Sequence, residues 1–92
     1  MAATFEWDPA KDEQNRRKHS VAFNEAISAF RDPLSMTIPD PDHSRGEQRF
    51  ILVGRSYQDR LLVVAHTDRQ DRIRIISARQ ADRRERRDYG KG

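Results

Sequence analysis

The spacing between hydrophobic residues changes along the chain from two to three or four and then back to two. Near the start, Phe5 and Trp7 flank a polar residue, and this alternation predicts a short strand with one apolar face. Two helices are predicted next. The first covers residues 9–18, which follow an aspartate, begin with a proline and carry almost no apolar stripe. The second has apolar residues at helical spacing between positions 23 and 30, and it ends before Pro33.

Four strand-like runs follow, at residues 36–38, 50–53, 61–65 and 73–76. A polar turn region at residues 39–46, with two prolines and a glycine, separates the first run from the second. Compact polar connections that suit hairpins separate the other runs. The pattern therefore predicts a meander of antiparallel strands.

A third helix is predicted over residues 81–89. Ser77 and Gln80 stand before it at the spacing of a capping box, and Gly90 ends it. No internal repeat, second domain or long linker is visible in the pattern. Residues 1–92 are therefore expected to form one α+β domain, a small antiparallel sheet with two N-terminal helices and one C-terminal helix.

The composition limits both the core and the class of protein. Hydrophobic residues make up 35% of the 92 residues and charged residues 36%, so the core must be thin, and a bound partner would add to its stability. The absence of cysteine excludes disulfide scaffolds, cysteine zinc sites and thiol catalysis. Because no run approaches the roughly 20 apolar residues of a membrane span and no signal peptide is visible, we expect a soluble cytoplasmic protein without a membrane partner.

Charge is distributed unevenly along the chain. Residues 1–48 carry six basic and nine acidic side chains, whereas residues 49–92 carry twelve basic and six acidic ones. Fifteen of the eighteen basic residues are arginines, whose planar guanidinium groups suit bidentate contacts with phosphate. The cationic second half indicates a polyanionic partner such as RNA or DNA, although a solvated surface with interspersed acids explains the charge equally well.

Candidate catalytic residues come first from the last two strands. Arg72 and Arg74 point to one face of the last strand while Ile73 and Ile75 point to the other, so burial of the isoleucines leaves the arginines outside. His66 lies on the neighbouring strand. The predicted sheet therefore presents arginines together with a histidine.

Further candidates lie at the C-terminal end. Arg79, Arg83 and Arg86 are separated by helical spacings of three and four, and Glu85 and Tyr89 share one helix face. RNA cleavage without a metal ion needs a base for the ribose 2′-hydroxyl, an acid for the leaving oxygen and fixed cations around the phosphate. Arginines suit the last role, and histidine, glutamate or tyrosine suits the first two.

Each of these residues also has a purely structural interpretation. A histidine on a half-buried strand, such as His66, is more often a packed residue than a catalytic one, and His19 suits a helix end. Glu85 can pair with a neighbouring arginine, and Tyr89 can pack against the helix end. His43 shares a flexible loop with two aspartates, which is a weak case for a metal site, so we predict neither a metal nor a cofactor.

Three stretches, taken in their order and spacing, resemble the BrnT family of ribonuclease toxins from bacterial toxin–antitoxin pairs. They are FEWDP at residues 5–9, KHSVAFNEA at 18–26 and RIISARQA at 74–81. The resemblance extends from about residue 4 to residue 89. At Ser20 this chain departs from the glycine that BrnT proteins have at the left-handed end of the first helix, and Ala22 replaces a capping residue.

The resemblance implies a fold and an activity. It implies a RelE-like fold, with a small twisted antiparallel sheet, and a metal-independent ribonuclease that inhibits translation and growth. It also implies neutralisation by a BrnA-like antitoxin, which alone would contact DNA. By position, Arg79, Glu85 and Arg86 fall in the family's signature, and Arg55 and Arg74 lie on strands that lead to the RNA groove.

The sequence therefore leaves two functions open, one enzymatic and one limited to binding. In the first, the chain is a ribonuclease toxin in which Arg74 and Arg79 converge on one phosphate while Glu85, His66 or Tyr89 transfers protons. The residues expected to bind RNA around this site are Arg55, Arg72, Arg83 and Arg86. In the second, the chain is a non-catalytic domain that binds only nucleic acid or its antitoxin. A DNA-binding repressor is the weaker alternative, because no helix-turn-helix or ribbon-helix-helix pattern is visible.

Overall fold

The computed structural model describes residues 4–44 and 46–91, and Arg45 of the predicted turn region lies outside them. The strands found there are β1 (Thr4–Glu6), β2 (Met36–Pro39), β3 (Arg49–Arg55), β4 (Leu61–Arg69) and β5 (Arg72–Gln80). The helices found there are α1 (Pro9–His19), α2 (Phe23–Ser28) and α3 (Arg83–Asp88), with short 3₁₀ turns at Ala29–Arg31 and Pro41–His43. Within these described ranges, no helix is both long and apolar enough to cross a membrane.

The five strands form one mixed sheet in the order β1-β5-β4-β3-β2. Neighbouring strands from β2 to β5 are antiparallel, as the meander predicted, but β1 pairs with β5 in parallel, with Phe5 opposite Ile73. The α+β class with two N-terminal helices and one C-terminal helix is confirmed, and the prediction of a wholly antiparallel sheet is wrong. A parallel pair needs a long crossover connection, and here the whole chain between β1 and β5 provides it.

One face of the sheet carries the main core beneath the N-terminal helices. Phe23 of α2 is fully buried against Leu62 and Val64 of β4, and Ile75 of β5 completes the cluster. Partly buried aromatic residues close its rim, and Trp7 meets Phe23 edge to face at a centroid distance of 6.3 Å. We call this side the helix-covered face.

Helix α1 is held against the sheet mainly by polar contacts, because its sequence has almost no apolar stripe. Its buried residue, Asn15, donates to the carbonyl oxygens of Val21 and Ala78 at 2.8 Å each and accepts from the Ala78 amide at 3.1 Å. The asparagine amide therefore pairs with the outer edge of β5 beyond the end of β1. Ser20 ends the helix in the left-handed region with a φ of 59°, as the resemblance implied.

The predicted capping box at the third helix is wrong. Ser77 and Gln80 belong to β5, where they pair with Ala65 and Leu62 of β4. The capping box is formed instead by Asp82 and Glu85, each of whose carboxylates accepts from the other's backbone amide at 2.8 Å. The strand continues to residue 80 because it keeps pairing with β4 as far as Leu62, whereas local sequence alone fits either capping site.

Candidate active site

The second face of the sheet carries a cationic border around an apolar centre. We define this second face by the side chains that the strand register aligns across β5, β4 and β3. Three rows result, namely Arg79–Val63–Val53, Ser77–Ala65–Ile51 and Arg74–Thr67–Arg49. Helix α3 covers only one end of this face, where Tyr89 packs against Leu61 and Val63. At the other end Thr67 is buried beside the segment that precedes β3, where its hydroxyl donates to the Gln48 carbonyl at 2.8 Å.

A small pocket of about 200 Å³ lies on the middle row. Its floor is apolar and consists of Ile51, Val63 and Ala65. On the β5 side it is lined by His19, Ser77 and Arg79, and on the β3 side by Asp40, His43 and Arg49. Two histidines and two arginines therefore surround a space large enough for a phosphate group.

The loop that precedes β3 positions His43. The imidazole Nδ1 lies 2.9 Å from the carboxylate Oδ2 of Asp40, and the histidine side chain is 64% exposed. Ser44 ties the loop to β3, since its hydroxyl donates to the Asp40 carbonyl at 2.7 Å and accepts from the Arg49 amide at 2.9 Å. When Nδ1 donates to Asp40, the other ring nitrogen, Nε2, is the one left to accept a proton.

A second pocket of about 400 Å³ adjoins the small one, because both are lined by His43 and Arg49. Its other cations are Lys11, Arg69 and Arg74. Asp8 and Glu47 also line it, and Glu47 holds Arg69 through contacts of 3.1 and 2.7 Å, which lowers the pKa of Glu47. We call the two pockets together the groove.

Arg79 and Glu85 are brought together as a bidentate ion pair. Both terminal nitrogens of Arg79 donate to the Glu85 carboxylate at 2.8 Å. The hydrogen bonds from Arg79 lower the pKa of Glu85, and those to Glu85 raise the pKa of Arg79. Because the capping box of α3 fixes Glu85, the carboxylate in turn fixes the arginine beside the small pocket.

Arg74 lies in the larger pocket and donates to Glu6 of β1 at 2.9 Å, and Arg72 is 3.7 Å from the same carboxylate. Arg74 and Arg79 therefore line different pockets and have separate carboxylate partners. This arrangement gives no support to the predicted convergence of the two on one phosphate.

His66 lies on the opposite, helix-covered face and lines neither pocket. It is 4% exposed, between Phe30 at a centroid distance of 4.9 Å and Phe50 at 5.8 Å. Burial lowers the pKa of the imidazole, which favours its neutral form. This placement fits the packed residue and gives no support to proton transfer by His66 in the groove.

Tyr89 and Arg55 meet beyond the groove, where α3 ends against β3. The Arg55 guanidinium lies 5.4 Å from the centroid of the Tyr89 ring, and the Tyr89 hydroxyl donates to Asp32. Burial and the Asp32 carboxylate both raise the pKa of Tyr89. Asp32 also accepts from the Arg55 and Leu34 amides at 2.8 and 2.9 Å, so this cluster anchors the C-terminal helix. Two other predicted RNA-binding residues, Arg83 and Arg86, are exposed on α3.

The groove contains residues that sequence reasoning did not select. His43 and Arg49 had local signals, since an aspartate stands three residues before the histidine and Arg49 alternates with Ile51 on one strand. His19 and Lys11 had none, because only the contact of α1 with β5 brings them to this face. Within the described residues, no group of three histidine, aspartate or glutamate side chains is arranged to hold a metal ion.

Comparisons with known proteins agree with this arrangement of strands and helices. Residues 7–85 match a family model described as a ribonuclease toxin, BrnT, of a type II toxin–antitoxin system. The chain is also similar in structure to the ribonuclease toxin BrnT of Brucella abortus, known from a 1.1 Å crystal structure, with 18% sequence identity. The match covers 89% of this chain and 100% of that chain with a TM-score of 0.69, so the two share a fold. A comparison with curated proteins finds no match.

Proposed function

The chain belongs to the BrnT family of ribonuclease toxins of type II toxin–antitoxin systems, and from this membership we propose that it cuts RNA in the groove. One observation supports this location of the cleavage site. The small pocket places Arg79 and Arg49 on opposite sides of a phosphate-sized space, with His19 and His43 on the same two sides. Cations and titratable groups around one phosphate are what RNA cleavage requires.

In this proposal His43 is the general base. Its Nε2 accepts the proton of the ribose 2′-hydroxyl, and Asp40 stabilises the imidazolium that forms. The 2′-oxygen forms a bond to phosphorus, and the bond from phosphorus to the 5′-oxygen breaks. His19 donates a proton to that leaving oxygen. The products are a 2′,3′-cyclic phosphate and a 5′-hydroxyl end.

Arginines balance the negative charge that builds up on the reacting phosphate. Arg79 and Arg49 stabilise the phosphorane, and Glu85 acts as a positioning residue that orients the Arg79 guanidinium. Arg74 binds a neighbouring phosphate in the larger pocket. The remaining predicted contacts with the RNA strand are made by Arg55, Arg72, Arg83 and Arg86.

The proposal also covers the conditions of cleavage, its effect on the cell and its neutralisation. The cleavage is metal-independent, it lowers translation and stops growth in the cytoplasm, and a BrnA-like antitoxin neutralises it. DNA is bound only through that antitoxin. A RelE-like fold is also part of this proposal. Membership in a type II family supports an RNA target and a protein antitoxin.

A cleavage assay with purified protein tests the activity. Single-stranded RNA should be cut in the presence of EDTA, and an oligonucleotide with one 2′-deoxyribose at the cleaved position should resist. Arg79→Ala should lower kcat/KM by about 100-fold or more, whereas Arg87→Ala, on the exposed surface of α3, should cleave like the wild type. Equal cleavage by wild type and Arg79→Ala would trace the activity to a contaminating nuclease.

A non-catalytic binding domain is the second candidate. The observation in its favour is that Glu85 and Glu6 already occupy Arg79 and Arg74. Expression separates the two candidates, because a catalyst stops growth at low copy number whereas a binding domain needs stoichiometric amounts. Normal growth at high expression, together with intact RNA in the cleavage assay, would favour the binding domain.

A further inference from the structure

Strand β3 presents an unusual alternation on the second face of the sheet. Arg49, Ile51, Val53 and Arg55 occupy successive positions on that face, so two apolar side chains are bracketed by two cations. Arg49 lines both pockets, and Arg55 lies against Tyr89 at the other end. The distance along the strand between the two arginines is roughly 20 Å.

The edge strand β2 widens this apolar region. Met36 lies opposite Val53 and Ile38 lies opposite Ile51, so both point to the same face as their partners. We call Met36, Ile38, Ile51 and Val53 the apolar strip. Ile38 is 57% exposed, whereas Met36, Ile51 and Val53 are partly buried, so the strip offers a continuous apolar contact that is most accessible at its β2 edge.

The strip is continuous with the groove. Ile51 forms part of the floor of the small pocket, and Arg49 forms part of its wall. A chain segment lying on Ile38 and Ile51 therefore covers the space in which the phosphate is proposed to react. Binding at the strip would block RNA access without needing any change of shape.

We infer that the apolar strip is the docking surface for an acidic segment of the antitoxin, with apolar side chains on the strip and carboxylates on Arg49 and Arg55. This inference rests on the proposed function. Charge complementarity selects the partner, because the chain carries a net charge of +3 and an arginine stands at each end of the strip, where Arg55 has an exposed pairing with Asp59 at 3.3 Å that a second carboxylate can share. A second copy of this chain fits poorly, since an isologous contact would bring arginines against arginines.

Substitution of Ile38 tests the surface. Ile38→Asn removes the exposed apolar group without adding charge, and it should weaken binding of the cognate antitoxin by at least tenfold. The matched control is Tyr57→Asn, because Tyr57 is 70% exposed but lies in the turn between β3 and β4, where its amide contacts Ser28 of α2. This control should bind within twofold of the wild type.

The probe is the product of the adjacent reading frame that restores growth when co-expressed, and its Kd is measured by titration calorimetry. Both variants should keep wild-type melting curves and RNA cleavage. In cells, Ile38→Asn should remain toxic in the presence of the antitoxin, whereas Tyr57→Asn should be neutralised.

Equal affinities of the two variants for the antitoxin would overturn the inference, and so would a wild-type chain that is dimeric alone and becomes monomeric with Ile38→Asn. Both outcomes leave the cleavage assay unaffected. Loss of the proposed function would look different, because the wild type itself would then fail to cut RNA.

Discussion

The two terminal nitrogens of Arg79 each lie 2.8 Å from an oxygen of Glu85, at the start of α3. The same carboxylate accepts from the Asp82 amide in the capping box. This geometry fixes the guanidinium beside the small pocket but also neutralises it in the absence of RNA. A phosphate that enters the pocket must share the arginine with the glutamate or displace it.

Glu85→Gln should therefore tighten RNA binding while it weakens the fold. We expect the Kd for a 2′-deoxy-substituted RNA to fall several-fold, and the free energy of unfolding to fall by about 1 kcal/mol or less because the charge-assisted bonds with the partly exposed Arg79 are lost. Fluorescence anisotropy and urea unfolding measure the two effects. Glu13→Gln is the control, because it removes the same charge from an exposed pair with Arg17 on α1. Equal effects of both substitutions on RNA affinity would mean that only net charge matters.

Substitutions at Asp40 and His43 test the general base. His43→Gln should lower kcat by about 100-fold or more, the range for loss of a positioned base. Asp40→Asn should cause a smaller loss, with KM unchanged, because it removes only the carboxylate 2.9 Å from the imidazole. Steady-state cleavage of a fluorogenic RNA measures both constants. Asp42→Asn alters the same loop between these two residues and should retain wild-type kcat; a large loss there would indicate that the whole loop had moved.

Local features were predictable from the sequence to the extent that neighbouring residues decide them. The Asp8-Pro9 start of α1 and the apolar spacing of α2 depend on contacts within a few residues, and both helices formed. The burial of His66 was also predictable, because alternation along β4 puts His66 on the same face as Leu62 and Val64, which lie at the centre of the core.

Features that depend on distant pairing were not predictable in the same way. The parallel contact of Phe5 with Ile73 joins residues at opposite ends of the chain, and no periodicity encodes it. The same holds for Glu6, whose contact with Arg74 follows from that pairing. His19 reaches the groove only because Asn15 docks α1 against β5.

Acid should destabilise the fold through His66. Burial lowers the pKa of the folded histidine below its usual value of about 6.5, so below that pH the unfolded chain binds a proton that the folded chain does not. This part of the stability is complete above the unfolded pKa and is lost as pH falls toward the folded pKa. Urea unfolding between about pH 7.5 and 5 should show the loss, and His66→Gln should flatten it. A slope that stays unchanged in His66→Gln would exclude His66 as its source.

The buried ion pair between Glu25 and Arg60 should be costly to break. Glu25 is 2% exposed, accepts from the Ser56 hydroxyl at 2.7 Å and from Arg60 Nε at 2.9 Å, and the Arg60 hydrogen bonds lower its pKa. Arg60→Ala leaves this carboxylate buried without its cation and should reduce the free energy of unfolding by about 3 kcal/mol. Arg72→Ala, at an exposed pair, should cost about 0.5 kcal/mol or less. Similar losses for both would mean that Glu25 becomes hydrated.

The exposed arginines of α3 should act on RNA affinity through salt. If Arg83 and Arg86 each contact a phosphate, the double substitution by alanine should reduce the slope of log Kd against log salt by about 1.4, at roughly 0.7 per contact. Anisotropy at several salt concentrations gives the slope. A charge-matched control replaces Arg16 and Arg17, which pair with carboxylates on α1. An unchanged slope for the α3 variant would show that these two residues do not contact RNA phosphates.

A single carboxamide fastens α1 to β5, since Asn15 satisfies both backbone groups of Ala78 and the carbonyl of Val21. Leucine at this position would leave the Val21 carbonyl and both backbone groups of Ala78 without a hydrogen-bond partner, and aspartate would supply no donor for the two carbonyls. The exposed charged residues on the outer side of the same helix, such as Glu13 and Arg17, do not contact the sheet. Those outer charges can therefore vary freely in evolution, provided that Asn15 keeps its amide and that Lys11 and His19 keep their places in the groove.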